Sequence, residues 1–439
     1  MNGRASFARR GALVLALVPG MLLAIPRSTT ATPAVESGAL AHGGTYMIAV
    51  DAAAPVAAID LWFRAPDDGY SGETPGLARI AATAAAAAKL ASGKTLAETV
   101  TQAGGQLSIQ VFPDLVTVGA IVPTLAARRV LASLTAAYFA PAIDAAALHA
   151  ATSDATVIAV QQHYEGDVLV QDLLFSRLFA SKPANEPPVP LAIDALSHVT
   201  LQEASAFAQR AFRASNAFLT VAGAVDPTIL AAVTDGNGPA PAQAPIDAIP
   251  VSPLPAPTTQ EGSGPAIGIA WIGPPISDER AATALDFVAD YLFRERVGTV
   301  SAALDRSGTR IDLNGQFVTL HSPGVMLVTL EGTDDASAQT QVLRAVSALQ
   351  QPMDPAAFAA AREAFLYHLD VDTQTPGEQA DMLGWYAAEG AASYAPGGDE
   401  YERITRSLDP GYVAATVRRY LSNPTVVRIV VGSSSGGAS

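Results

Sequence analysis

The 439-residue chain is 49% hydrophobic and 15% charged, carries a formal net charge of −15 and contains no cysteine. That is enough chain for two globular domains with full cores, so a single small module is excluded. The acidic balance argues against nucleic-acid binding through a basic face, and the lack of cysteine removes disulfide frameworks, thiolate zinc sites and cysteine nucleophiles.

Residues 1–34 run from a basic start (Arg4, Arg9, Arg10) through an apolar stretch over 11–25 into small residues at 29–34. This is the layout of a secretory signal peptide. Pro19 and Gly20 interrupt the apolar run, which falls short of the roughly 20 residues a membrane span needs. Cleavage after it would remove Arg4, Arg9, Arg10 and Arg27 and no acid, taking the formal charge from −15 to −19 (−15 − 4). The expectation is a periplasmic or secreted mature chain without a membrane span.

Period-2 apolar alternation over 56–64 (VAAIDLWFR) predicts a strand, followed by a long helical segment, strands over 105–122 and more helix. Residues 199–223 (VTLQEASAFAQRAFRASNAFLTVAG) predict a helix with Thr200 as its N-cap, then a strand ending in Gly223. The stretch 235–265, dense in Pro, Ala and Gly and free of periodicity, predicts an extended interdomain linker. A strand over 266–272 (AIGIAWI), a long helix, strands over 311–330 and further helix follow. Residues 408–432 (LDPGYVAATVRRYLSNPTVVRIVVG) align without a gap on 199–223, so that Asp409 meets Thr200, Arg419 meets Arg210 and Leu421 meets Phe212, each 209 residues from its mate. The reading is an α+β chain of two homologous α/β-sandwich domains, 43–234 and 266–435, with largely antiparallel sheets packed with helices on one side.

Several patterns carry a bland explanation. Residues 92–95 (SGKT) look like the tail of a phosphate loop, but the first glycine's place is held by Ala88. Residues 432–436 fit G-x-S-x-G, yet the chain ends at Ser439 without the helix a nucleophile elbow requires. His368, Asp370 and Asp372 read as a solvated helix end. The closest two of the six histidines, His149 and His163, are 14 residues apart, so no helical histidine pair can hold a metal.

Leu61-Trp62-Phe63 ahead of Thr74-Pro75-Gly76-Leu77-Ala78, then Ala103-Gly104-Gly105, then 212–227 (FRASNAFLTVAGAVDP) follow in an order that resembles the pitrilysin/insulinase (M16) metallopeptidases over about residues 43–435. In that family Gly-Leu-Ala is followed by His-x-x-Glu-His on a helix, whose histidines at i and i+4 hold zinc while the glutamate takes a proton from zinc-bound water. The matching positions here are Arg79, Ala82 and Thr83, and the third ligand, a glutamate on a later helix, falls on Gln162, or on Gln161 for a different loop length. Arginine cannot ligate a cation, alanine has no proton acceptor, and threonine and glutamine are poor zinc ligands. The family's substrate-holding Arg and Tyr fall on Asp305 and Ile311, with Arg306 one position away. Its substrate strand has an Asn-Ala pair where Ser108 and Ile109 stand, although peptide addition along 106–111 needs only backbone.

The resemblance therefore implies an exported, catalytically inactive homologue without a cofactor of its own. Its implied partner is a zinc-bearing M16 catalytic subunit, or a second copy in a homodimer, forming a chamber for peptides; zinc is expected only in the catalytic partner. A stand-alone peptide-binding or assembly protein, and an active zinc metalloendopeptidase with relocated ligands, remain as alternatives.

Overall fold

The computed structural model describes residues 35–41, 43–65, 74, 76–179, 193–234, 248–251, 258–307, 311–396 and 398–431. The signal layout of 1–34, His42, most of the 235–265 stretch, residues 308–310 and the 432–436 tail lie outside them.

The first half runs β1 (Val35–Ala39), β2 (Thr45–Val50), β3 (Val56–Arg64), α1 (Leu77–Ala87), α2 (Leu96–Gln102), β4 (Gln106–Val111), β5 (Leu115–Pro123), α3 (Ala127–Phe139), α4 (Ala145–Tyr164), α5 (Gly166–Leu178), α6 (Leu201–Ala211) and β6 (Ala217–Gly223). The second runs β7 (Thr258–Gly262), β8 (Ala266–Ile272), α7 (Glu279–Phe293), α8 (Thr299–Ser307), β9 (Asp312–Val318), β10 (Val325–Glu331), α9 (Ala336–Ala348), α10 (Pro355–Val371), α11 (Pro376–Ala388), α12 (Asp399–Arg406), α13 (Pro410–Tyr420) and β11 (Thr425–Val431). The first sheet has the order β1-β2-β6-β3-β5-β4 and the second β7-β11-β8-β10-β9. Without β1 the two orders are the same. The β2·β6 and β7·β11 pairs are parallel, and every other pairing in both sheets is antiparallel.

The aligned helices α6 and α13 are 11 residues each and start at Leu201 and Pro410. The Thr200 side chain accepts from the Glu203 amide in a capping box, and Asp409 accepts from the Tyr412 amide, so both expected N-caps close their helices. The predicted strands 56–64 and 266–272 coincide with β3 and β8.

Strand β3 explains why each sheet needs cover on two faces. Ala57, Ile59, Leu61 and Phe63 pack into the core shared with the first half's own helices, while Ala58 and Trp62, pointing the other way, join the core of the second half. On the first face α1 packs on α4. Ala147, Ala151, Ala155 and Ala159 form a buried i, i+4 stripe on α4, and α1 buries Ala78, Ala81, Ala82 and Ala85. Small side chains let two helices approach closely, which accounts for the alanine excess.

The second face is covered by exchange. Helix α11 of the second half lies on β3, β6 and β2, and α5 of the first half lies on β8, β11 and β10. Three ties spaced one helical turn apart seat α11: Thr220 Oγ1 donates to Ala380 O at 2.9 Å, Trp62 lies against Gly384, and Arg64 Nε donates to Ala388 O at 2.8 Å. On the opposite sheet Val170 and Leu174 of α5 press on Gly268, where a Cβ would stand 3.0 and 2.7 Å from them. Leu169, Val170, Leu173, Leu174 and Leu178 supply the apolar stripe.

Two expectations need correction. Helices cover both faces of each sheet, because the outer helix comes from the other half and no local pattern announces it. The 235–265 stretch is not linker throughout, since its residues Thr258–Gly262 form β7 in parallel register with β11. Its sequence TTQEG has no apolar alternation because this edge strand is held by backbone pairing. Among the described residues no helix is long and apolar enough to cross a membrane.

Candidate functional site

Helix α1 starts after Gly76, whose φ of +81° and whose missing Cβ, 2.1 Å from Leu196 Cδ2 if present, let the chain turn tightly into the helix. The helix then runs beside edge strand β4. Half-buried Arg79, one turn in, points its Nη1 at the carbonyl oxygen of Ile109, 3.5 Å away.

That carbonyl belongs to the open edge of the sheet. Phe112 N donates to Leu115 O at 2.7 Å, so antiparallel alternation turns the backbone groups of Gln110 and Ser108 toward β5 and those of Leu107, Ile109 and Val111 away from it. Ser108, paired with Gly119, also donates its hydroxyl to Gly119 O at 3.4 Å. The outward groups of β4 form a template for an added strand. Arg79 occupies its middle.

Ala82 is fully buried, and its carbonyl accepts a 2.8 Å bond from the hydroxyl of Tyr138. Burial pushes the Tyr138 phenol well above its ordinary range, which keeps it a neutral donor. Thr83 is half-buried on α1, and Gln162 is half-buried near the end of α4, the helix that packs on α1. Guanidinium, methyl, hydroxyl and carboxamide do not make a zinc site, so no chemical step runs through a metal on these residues. Among the described residues no group of three or more His, Asp or Glu side chains could hold a metal ion.

The structure thus brings Arg79 and Ile109 into contact and sets Thr83 and Gln162 on neighbouring helices. Arg306 lies exposed on α8, which packs on α7 and α9 in the other half. Two other patterns find explanations. Thr95 is the capping-box N-cap of α2 and Lys94 Nζ donates to Gln102 at 2.6 Å, so 92–95 is a helix start. His368 and Asp372 are not a solvated helix end: Arg294 donates to both Asp372 oxygens at 2.9 Å and to Asp290 at 3.0 Å, and His368 Nδ1 lies 2.8 Å from Asp290.

Sequence reasoning missed the acids between the halves. Asp114 in the β4–β5 turn is 8% exposed and Glu389, just past α11, is fully buried. Burial raises the Asp114 carboxyl to about 6, against the opposing pull of His321. Burial likewise lowers Arg64, which Glu389 counters. No spacing signal could have found these groups, because they meet from opposite halves.

Residues 198–365 match the family model described as "Peptidase M16 inactive domain". No curated protein matches the sequence. Among solved structures, the fold is similar to a protease from Helicobacter pylori, with TM-score 0.76, 12% identity, and coverage of 91% of this chain and 100% of that one. It is similar to a peptidase M16 inactive domain from Pseudomonas fluorescens, with TM-score 0.73, 16% identity, and coverage of 91% and 98%. A chain of Complex III2 from Candida albicans shares the fold at TM-score 0.73 and 11% identity, with coverage of 91% and 96%. Two matching sheets with exchanged helices and the match over 198–365 lead to one conclusion: the chain has the fold of these M16-like structures, and its residues 198–365 are similar to the M16 inactive domain.

Proposed function

We propose that this chain is the non-catalytic member of an M16-like peptidase pair, exported by its 1–34 signal and free of zinc itself. The observation that carries this reading is Arg79. At the place where the family resemblance puts a zinc ligand stands a fixed cation bonded to the edge strand, with a buried methyl group at Ala82 in place of the proton acceptor. In this role the chain supplies one wall of a peptide chamber. The outward backbone groups of Leu107, Ile109 and Val111 take up an extended peptide by strand addition, and the catalytic partner supplies the zinc and the water attack. Similarity to an M16 inactive domain, and to a chain of Complex III2, supports a partnered role.

The test is a pull-down of the tagged mature chain from the periplasm of its own host, with zinc content and peptide cleavage measured for the chain alone and for what co-purifies. The expected result is a partner of similar length bearing His-x-x-Glu-His, with cleavage only in the complex. Stoichiometric zinc and chelator-sensitive cleavage by the chain alone would overturn the reading. Recovery of a homodimer that binds peptides without any zinc-bearing partner would move the assignment to a stand-alone peptide-binding protein.

A further inference from the structure

Edge strand β4 presents one residue's two backbone groups beside a cation. In extended backbone the N–H and C=O of a residue leave on the same side, so Ile109 turns both away from β5 and out of the sheet. Arg79 Nη1 stands 3.5 Å from that carbonyl oxygen. Any acceptor that takes the Ile109 N–H therefore comes to lie near the guanidinium as well. The carbonyl contact is long for a hydrogen bond, and a neutral acceptor is a weaker partner for a cation than a carboxylate is. Arg79 interacts elsewhere in the chain too, but a planar fork of five donors can hold one neighbour and still turn a pair of N–H groups on a carboxylate.

The field around this point favours an anion. Arg79 lies in the first turn of α1 (Leu77–Ala87), a turn without acids, so the positive end of the helix dipole adds to the guanidinium. The formal charge of −15 belongs to the whole chain, and salt screens exposed charges beyond about 8 Å, whereas Arg79 is half-buried at the strand itself.

We propose that the Ile109 amide and the Arg79 guanidinium form a carboxylate site on the edge of β4, so that the peptide this strand takes up is one that presents a carboxylate at Ile109, from its own C terminus or from an acidic side chain. The inference rests on strand addition to β4, the reading given above. It gives Arg79 two opposite effects. A neutral peptide that runs past Ile109 needs the carbonyl there for one of its own N–H groups and must displace Arg79. A carboxylate has no N–H to place; it accepts from the Ile109 amide and meets a charge of opposite sign.

Fluorescence anisotropy on the full mature chain tests this with a neutral, strand-forming octapeptide labelled at its N terminus. The peptide is made with a free C-terminal carboxylate, with a C-terminal amide, and as the amide with one central glutamate. In wild type at least one carboxylate peptide should bind about fivefold tighter than the plain amide, and the one that gains identifies the source of the carboxylate. Raising NaCl from about 50 to about 500 mM should erase most of that preference and leave the plain amide unchanged. In Arg79→Ala the preference should vanish, while the plain amide tightens about two- to fivefold. The salt series decides alone if the variant fails to fold. Equal affinity for all three peptides in wild type, with backbone N-methylation still abolishing binding, would overturn the carboxylate site and leave strand addition standing. No binding, or binding indifferent to N-methylation, would remove strand addition to β4 and this proposal with it.

Discussion

The indole nitrogen of Trp62 lies so close to Gly384 that a Cβ on that glycine would stand 2.0 Å from it. Trp62 sits on β3 and Gly384 on α11, so this approach sets the depth at which one half enters the other. Phe112 stacks on Trp62 at 6.1 Å, and Trp385 meets the two rings edge-on at 4.7 and 5.9 Å. Trp385 is anchored in turn by its Nε1, which donates to Thr319 O at 2.8 Å. Aromatic groups from both halves thus interlock where the α11 backbone closely approaches the first sheet.

Gly384→Ala should therefore destabilise the chain. Alanine in a helix ordinarily gains about 1 kcal/mol over glycine, but overpacking against a buried ring costs about 1–3 kcal/mol and wins here. Denaturant unfolding should show a lower midpoint, and adding Trp62→Leu should recover part of the loss through direct coupling. A midpoint that rises in the single variant would refute this account.

Arg79→Ala should strengthen peptide addition to β4. The guanidinium holds the outward carbonyl of Ile109 at the long distance of 3.5 Å, and a bond of that kind is worth at most about 1 kcal/mol net, so affinity for an extended peptide should rise about two- to fivefold. Fluorescence anisotropy with a labelled peptide checks this, with a backbone N-methylated peptide as the control that should lose the gain. Equal binding by both peptides would place the binding elsewhere.

Placing an acid at the helix centre should fail structurally. Ala82→Glu puts a carboxyl into a fully buried position beneath Tyr138, at a cost of about 3 kcal/mol or more. Thr83→Glu, at a half-buried position on the same helix, should cost less than about 1 kcal/mol. Tm values of the two variants give the comparison, and similar losses would contradict it.

The repeated caps should be worth about the same in both halves. Thr200→Ala and Asp409→Ala each remove a side-chain acceptor from a helix start, and each should cost about 1 kcal/mol. Chemical denaturation measures both, and a tenfold difference in effect on the unfolding constant would show that the two helices carry different weight.

The strands and caps were legible because their signals are local. Alternation over VAAIDLWFR gives β3, and the pairing of Thr200 with Asp409 across the repeat gives two equivalent helix starts. That Arg79, Ala82 and Thr83 cannot hold zinc was legible for the same reason, since side-chain identity alone decides whether a residue can hold a cation. Strand β7 was hidden, because its sequence TTQEG is held by backbone bonds to β11.

By itself, then, the sequence determined the duplicated α+β plan and the chemistry that the α1 positions exclude. Tertiary structure decided which surfaces meet: α5 and α11 exchange sheets, Arg79 reaches Ile109, and Arg64 reaches Ala388. The physical reason is the range of the interactions. Periodicity and capping act within a few residues, whereas the partner of a buried face is chosen by shape and charge between segments hundreds of residues apart, as Trp62 and Gly384 show.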